Sequence, residues 1–93
     1  MSSTEQVYDL VFDDENEEKL WSHGLVPSDL LEVLEGPHVV RKNRRDRRGL
    51  LLVGGSDSRG RCIIFPVEPT HLPTMWRPIT GWICKRSEEH WCP

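Results

Sequence analysis

The sequence predicts an α+β fold: a small antiparallel sheet with two N-terminal-half helices on one face and a short C-terminal helix. Three observations carry this. Leu50–Val53 and Cys62–Phe65 are apolar runs flanking Gly54-Gly55-Ser56-Asp57-Ser58-Arg59-Gly60, the pattern of two strands joined by a turn. Before them, two segments carry helix start and stop signals, and after them lies one more strand-like stretch. The order β-α-α-β-β-β-β-α places helices against one side of an antiparallel sheet.

In chain order, Met1–Gln6 is expected to be a disordered tail, with residues 7–93 forming a single domain. Val7–Phe12 mixes β-branched, aromatic and aliphatic residues and reads as a first strand. Asp14 with Glu17 three residues later resembles a capping box, so a helix is expected from here to Gly24, with acidic residues in its first turns where the helix dipole favours them. Pro27 suits the first turn of a second helix with an apolar stripe of Leu30, Leu31, Val33 and Leu34, ended by Gly36-Pro37. His38–Arg41 reads as a short strand. In the hairpin, Asp57 and Ser58 supply turn bonds and the glycines supply positive φ. Its runs are solid rather than alternating, which suits strands covered on both faces or carrying a partner surface. Pro66, Pro69 and Pro73 predict a stiff connector. Met75–Ile83 reads as the last strand, at an edge or bulge because of Pro78. Lys85–Trp91 closes the chain as one or two helical turns.

A 93-residue chain hides only about 60–65% of its unfolded surface, so its four tryptophans are expected to supply much of a thin core. Charge is divided. Residues 1–35 hold ten carboxylates and one lysine, and residues 36–93 hold eleven cations and five carboxylates, a dipolar pattern that suits an anionic ligand on the basic side. Cys62, Cys84 and Cys92 form no CxxC pair, and no apolar run reaches membrane length, so reduced thiols in a cytoplasmic protein without membrane contact are expected. Cys84, His90 and Cys92 lack a standard zinc spacing and a fourth ligand, so no metal or cofactor is expected. Walker, HExxH and GxSxG motifs are absent, which removes the nucleotide, zinc-hydrolase and serine-hydrolase classes.

Candidate functional residues follow from charge and spacing. Glu15, Lys19 and His23 share one helix face, where Lys19 and His23 suit phosphate binding and proton transfer, although a solvated ion-pair face has the same spacing. Arg41, Lys42, Arg44, Arg45, Arg47 and Arg48 are six cations in eight residues, the strongest electrostatic signal for phosphate or for an acidic protein segment. Arg61 and Arg77 interrupt strand patterns, so each needs a partner or the sheet edge. Trp76 and Trp82 are able to stack on a base, though large aromatics in a small domain are more often core. Glu88 offers an acid–base group or a helix cap.

Phe12 to Pro27, with its His23-Gly24, resembles the opening of the BrnT-like toxins of bacterial toxin–antitoxin pairs. The hairpin ending in Gly60-Arg61 and the stretch Trp76-Arg77-Pro78-Ile79-Thr80-Gly81-Trp82 resemble the later half of that family, over roughly residues 7–91 in all. The resemblance implies a RelE-like fold and a metal-independent ribonuclease that inhibits translation and growth, neutralised by a protein antitoxin through which oligomers form. It matches His23 to the family's helix histidine, Lys19 to a place where a basic or amide residue is common, Arg77 and Thr80 to the last-strand motif and Glu88 to an acidic residue of the closing helix. On the ribonuclease reading His23 is expected as acid or base, Lys19 as a second cation, and Arg61, Arg77 and Arg86 as phosphate clamps. The chain departs from the family at Ser22, at Trp82 and at the early glutamates, where members carry cations. These departures favour a second reading, a catalytically inactive module of the same fold that holds RNA or a protein partner.

Overall fold

The computed structural model describes residues 7–92, so the expected N-terminal tail lies outside the described residues. Its elements are β1 (Asp9–Leu10), α1 (Asp14–Ser22), α2 (Pro27–Glu35), β2 (His38–Lys42), β3 (Leu51–Ser56), β4 (Cys62–Pro69), β5 (Met75–Pro78), β6 (Trp82–Ile83) and a terminal 3-10 helix, Arg86–Trp91. The six strands form one sheet in the order β1-β5-β4-β3-β2, with β6 also on β4. The α+β architecture is the expected one. The sheet differs from an all-antiparallel one at a single pair, since β1 runs parallel to β5.

Local chemistry sets the helix ends. α1 is capped by Asp13, whose carboxylate accepts the Asn16 N–H at 2.9 Å while the Asn16 side chain accepts the Asp13 N–H at 2.8 Å. This box starts one residue before the expected Asp14–Glu17 pair. The buried Asn16 amide also donates to the carbonyls of Val11 and Pro78, at 3.0 and 2.9 Å, and a glutamate has no N–H for that task. Gly24, at φ 76°, turns the chain out of α1. Pro27 opens α2, and the Asp29 carboxylate accepts the Val26 N–H.

The β2–β3–β4 meander has Val53 opposite both Val40 and Phe65. β4 continues through Pro66 to Pro69, where a stiff connector was expected. Pro66 is tolerated because Ile79, whose N–H bonds the Pro66 carbonyl, lies one residue past the end of β5. The expected single strand Met75–Ile83 is two: Ile79–Gly81 bulges out between β5 and β6. A side chain at Gly81 would meet Leu20 at 2.9 Å, so the bulge lets α1 approach the sheet. The first strand is shorter than Val7–Phe12 and parallel to β5 because Asp13 and Asn16 bind Arg77 and Pro78, the residues next after the β1 partner Trp76.

Alternation along the strands divides the sheet into two faces. One face carries Val53, Ile63, Phe65 and Val67, packed against Leu20, Leu25, Leu30 and Val33 of the helical half, all fully buried. Each such side chain contributes about 1.5–3 kcal/mol by leaving water. Trp76 joins this core, whereas Trp21 is 75% exposed and Trp82 and Trp91 are half-buried, so one tryptophan rather than four fills the interior. Leu52, Ile64, Pro66 and Trp82 lie on the opposite face. There the terminal helix folds back, setting Trp91 over Gly54, where an added Cβ would stand 3.2 Å from the indole. Cys92 thereby reaches Cys62, with Cα atoms 5.9 Å apart, and the two form a disulfide. This corrects the expectation of three reduced thiols: Cys84 alone is free. Among the described residues no helix is long and apolar enough to cross a membrane.

Candidate functional site

Beside the terminal helix, the second face opens into a cleft of about 860 Å³. That size suits a small ligand or a short stretch of polymer. Leu52, Pro66, Ile79 and Trp82 line it with apolar surface. Arg44, Arg47 and Arg48 reach it from the loop between β2 and β3, Lys85 and Glu88 from the chain's end, and His23 from the C-terminus of α1.

Asn43 shapes the basic loop. Its amide donates to the Arg48 and Gly49 carbonyls, at 2.8 and 3.1 Å, while its oxygen accepts the Arg44 N–H. These bonds tie the loop's two ends together and leave the arginine side chains exposed. Arg44 stands 3.8 Å from Asp46, and Arg48 is 4.0 and 3.9 Å from Glu15 and Glu68. Such exposed pairs are weak. Among the described residues no carboxylate pairs with Arg47 or with the Lys85 side chain. Glu88 accepts the Lys85 N–H at 2.9 Å and so caps the terminal helix as well as lining the cleft.

Arg77 of β5 and Arg61, just before β4 rather than within a strand, sit elsewhere. Arg77 bonds Asp13 at 2.7 Å, Glu15 at 2.7 Å and Glu68 at 3.0 Å. The hydrogen bond to Asp13, opposed by burial and reinforced by Glu15 and Glu68, pushes the Arg77 pKa up. The same bond holds the Asp13 carboxyl below its usual range. Arg61 bonds Asp57 at 2.7 Å and stands 3.3 Å from Asp29. Burial pushes the Asp57 carboxyl up, but the Arg61 and Arg59 backbone N–H groups and the Arg61 guanidinium outweigh it and hold the carboxyl low. Both arginines are neutralised by the protein's own carboxylates.

Of the residues expected to carry chemistry, the cleft collects His23 and Glu88, while Lys19, Arg61, Arg77 and Arg86 are outside its lining. Of those expected to bind RNA, it collects Arg44, Arg47, Arg48 and Trp82. Lys42 and Arg45 are exposed outside the lining, and the Arg41 guanidinium is stacked 4.5 Å over the Trp91 ring. Asn43 escaped sequence reasoning. Its signal was an asparagine embedded in a basic run, which is turn chemistry rather than charge.

The arrangement suits binding of a phosphate-bearing chain, with cations for the backbone and a half-buried indole for a stacked base. Metal-free RNA cleavage needs a base, a proton donor and fixed cations at one phosphate. His23 and Glu88 share the cleft, but the two most firmly held arginines do not join them. No protein family, curated protein or solved structure matches the chain.

Proposed function

We propose that this domain is a non-catalytic binding module that holds single-stranded RNA across the second face of its sheet. The observation that carries the reading is the gathering of three loop arginines and Lys85 around the half-buried Trp82, with Arg47 and Lys85 free of carboxylate partners among the described residues. Phosphates would meet the cations, and a base would stack on the indole, which tolerates any base. The expected phosphate clamps Arg61 and Arg77 already have carboxylate partners, which supports binding over cleavage.

A second reading has its own support. His23 and Glu88 line the same cleft, and together with the resemblance to BrnT-like proteins this favours a ribonuclease toxin held by a protein antitoxin that covers the cleft. One experiment separates the two. A fluorescently labelled single-stranded RNA is titrated with the protein at several salt concentrations, and the same RNA is then run on a denaturing gel. Salt-sensitive binding with intact RNA supports the module. Cleavage abolished by His23→Ala replaces it with the toxin. Absence of binding at low salt removes both.

A further inference from the structure

We propose that, once the Cys62–Cys92 disulfide is reduced, Cys62, Cys84 and Cys92 bind one thiophilic closed-shell metal ion through three thiolates. The three sulfur atoms already lie within 4.8 Å of one another. Three sulfurs sharing an ion at metal–sulfur distances of ~2.3 Å stand roughly 4 Å apart, so the ion fits with small side-chain rotations.

Separate pieces of backbone hold the cluster together. Cys62 begins β4, and Cys84 lies beside it because the Cys84 N–H donates to the Cys62 carbonyl at 2.9 Å. Cys92 ends the terminal helix, its N–H bonded to the Glu89 carbonyl at 3.1 Å. The third sulfur converges on the other two although a disulfide needs only a pair. Soft thiolates select zinc or copper(I) over magnesium or calcium. A zinc ion would complete its four positions with water, whereas copper(I) is satisfied by the three sulfurs. Reduction is a separate step: a dithiol gives two electrons and two protons, Cys62 and Cys92 become thiols, and the dithiol closes to its own disulfide. Metal uptake then releases thiol protons.

The test uses the full chain, reduced with a phosphine in oxygen-free buffer, and offers zinc and copper(I) in separate arms. Native mass spectrometry is expected to find one ion per reduced chain and none on the oxidised chain. Cobalt(II) is expected to give a thiolate charge-transfer absorption. Cys84→Ser leaves the disulfide pair intact and is expected to weaken binding of the reduced chain on the order of tenfold or more. Uptake of either ion on these terms supports the site and identifies the ion. No uptake of either ion overturns it, and so does equal uptake by Cys84→Ser. Should reduction unfold the chain, one equivalent of ion is expected to restore the near-ultraviolet circular dichroism, and failure to do so also overturns the proposal.

Discussion

Arginine serves two purposes in this domain, and the contrast between them bears on what the protein does. At the junction of α1 with β5, Arg77 is 17% exposed and bonds three carboxylates drawn from α1 and its cap and from β4. In the loop between β2 and β3, Arg44 is 76% and Arg48 55% exposed, and their nearest carboxylates stand at 3.8 Å or beyond. The first setting neutralises the guanidinium and fixes it, which is how a cation holds elements together. The second leaves charge facing water, where it is placed to neutralise a phosphate and release the counter-ions condensed on a nucleic-acid strand. Position in a charged run therefore says less about an arginine's use than the carboxylates the fold brings to it.

The sharpest way to break this contrast is Arg77→Ala. It leaves Asp13 without its cation and Glu15 and Glu68 with only the exposed Arg48 at 4.0 and 3.9 Å, at an expected loss of about 2–3 kcal/mol, between the values for exposed and buried pairs. Thermal unfolding should show a fall in Tm on the order of 10 °C, while RNA affinity measured on the folded protein stays unchanged. A loss of affinity with unchanged Tm would reverse the assignment. Trp82→Ala is next, with an expected affinity loss of about 1–3 kcal/mol from the lost stacking, read by fluorescence anisotropy. Arg47→Ala combined with Lys85→Ala should leave Tm nearly unchanged and flatten the salt dependence of binding by about 0.7 per phosphate contact removed.

The smallest effect concerns acid. Asp57 titrates below its ordinary 3.8 in the folded state, so the native protein binds fewer protons than the unfolded chain near that value. Its stabilisation is complete above 3.8 and is lost as the pH falls through the lowered folded value. A Tm series taken downward from about pH 5 should steepen there, and Asp57→Asn should flatten that acid limb while lowering Tm at neutral pH.

What could be read from the chain was local. Pro27, Gly24 and Gly36 placed the helices because first-turn prolines and terminal glycines act on their own few residues. The tip of the hairpin was legible because Asp57 bonds the N–H groups of Arg59 and Arg61 within its own turn. Gly54, Gly55 and Ser56, expected in that turn, instead extend β3, and of the hairpin's glycines Gly60 alone has positive φ. The basic loop was legible as charge because its arginines are contiguous. Longer connections were not. Nothing near Arg77 announces a partner 64 residues away at Asp13, and nothing near Cys62 announces Cys92, 30 residues on. Spacing on α1 put Lys19 and His23 together, yet of the two only His23 lines the cleft, because the C-terminus of α1 approaches the second face beside Ile79 and Thr80. The split of the last strand was invisible because it answers to Leu20 pressing on Gly81.

The parallel pairing of β1 with β5 has a consequence for the order in which the chain is born. A ribosome makes Asp9–Leu10 and α1 well before their partners Met75, Trp76 and Arg77. The β2–β3–β4 meander can close by short-range contacts while Leu10, Leu20 and Leu25 still lack part of their cover. Leu10 and α1 thus settle only after their later partners are made, and their apolar side chains stay partly uncovered until then.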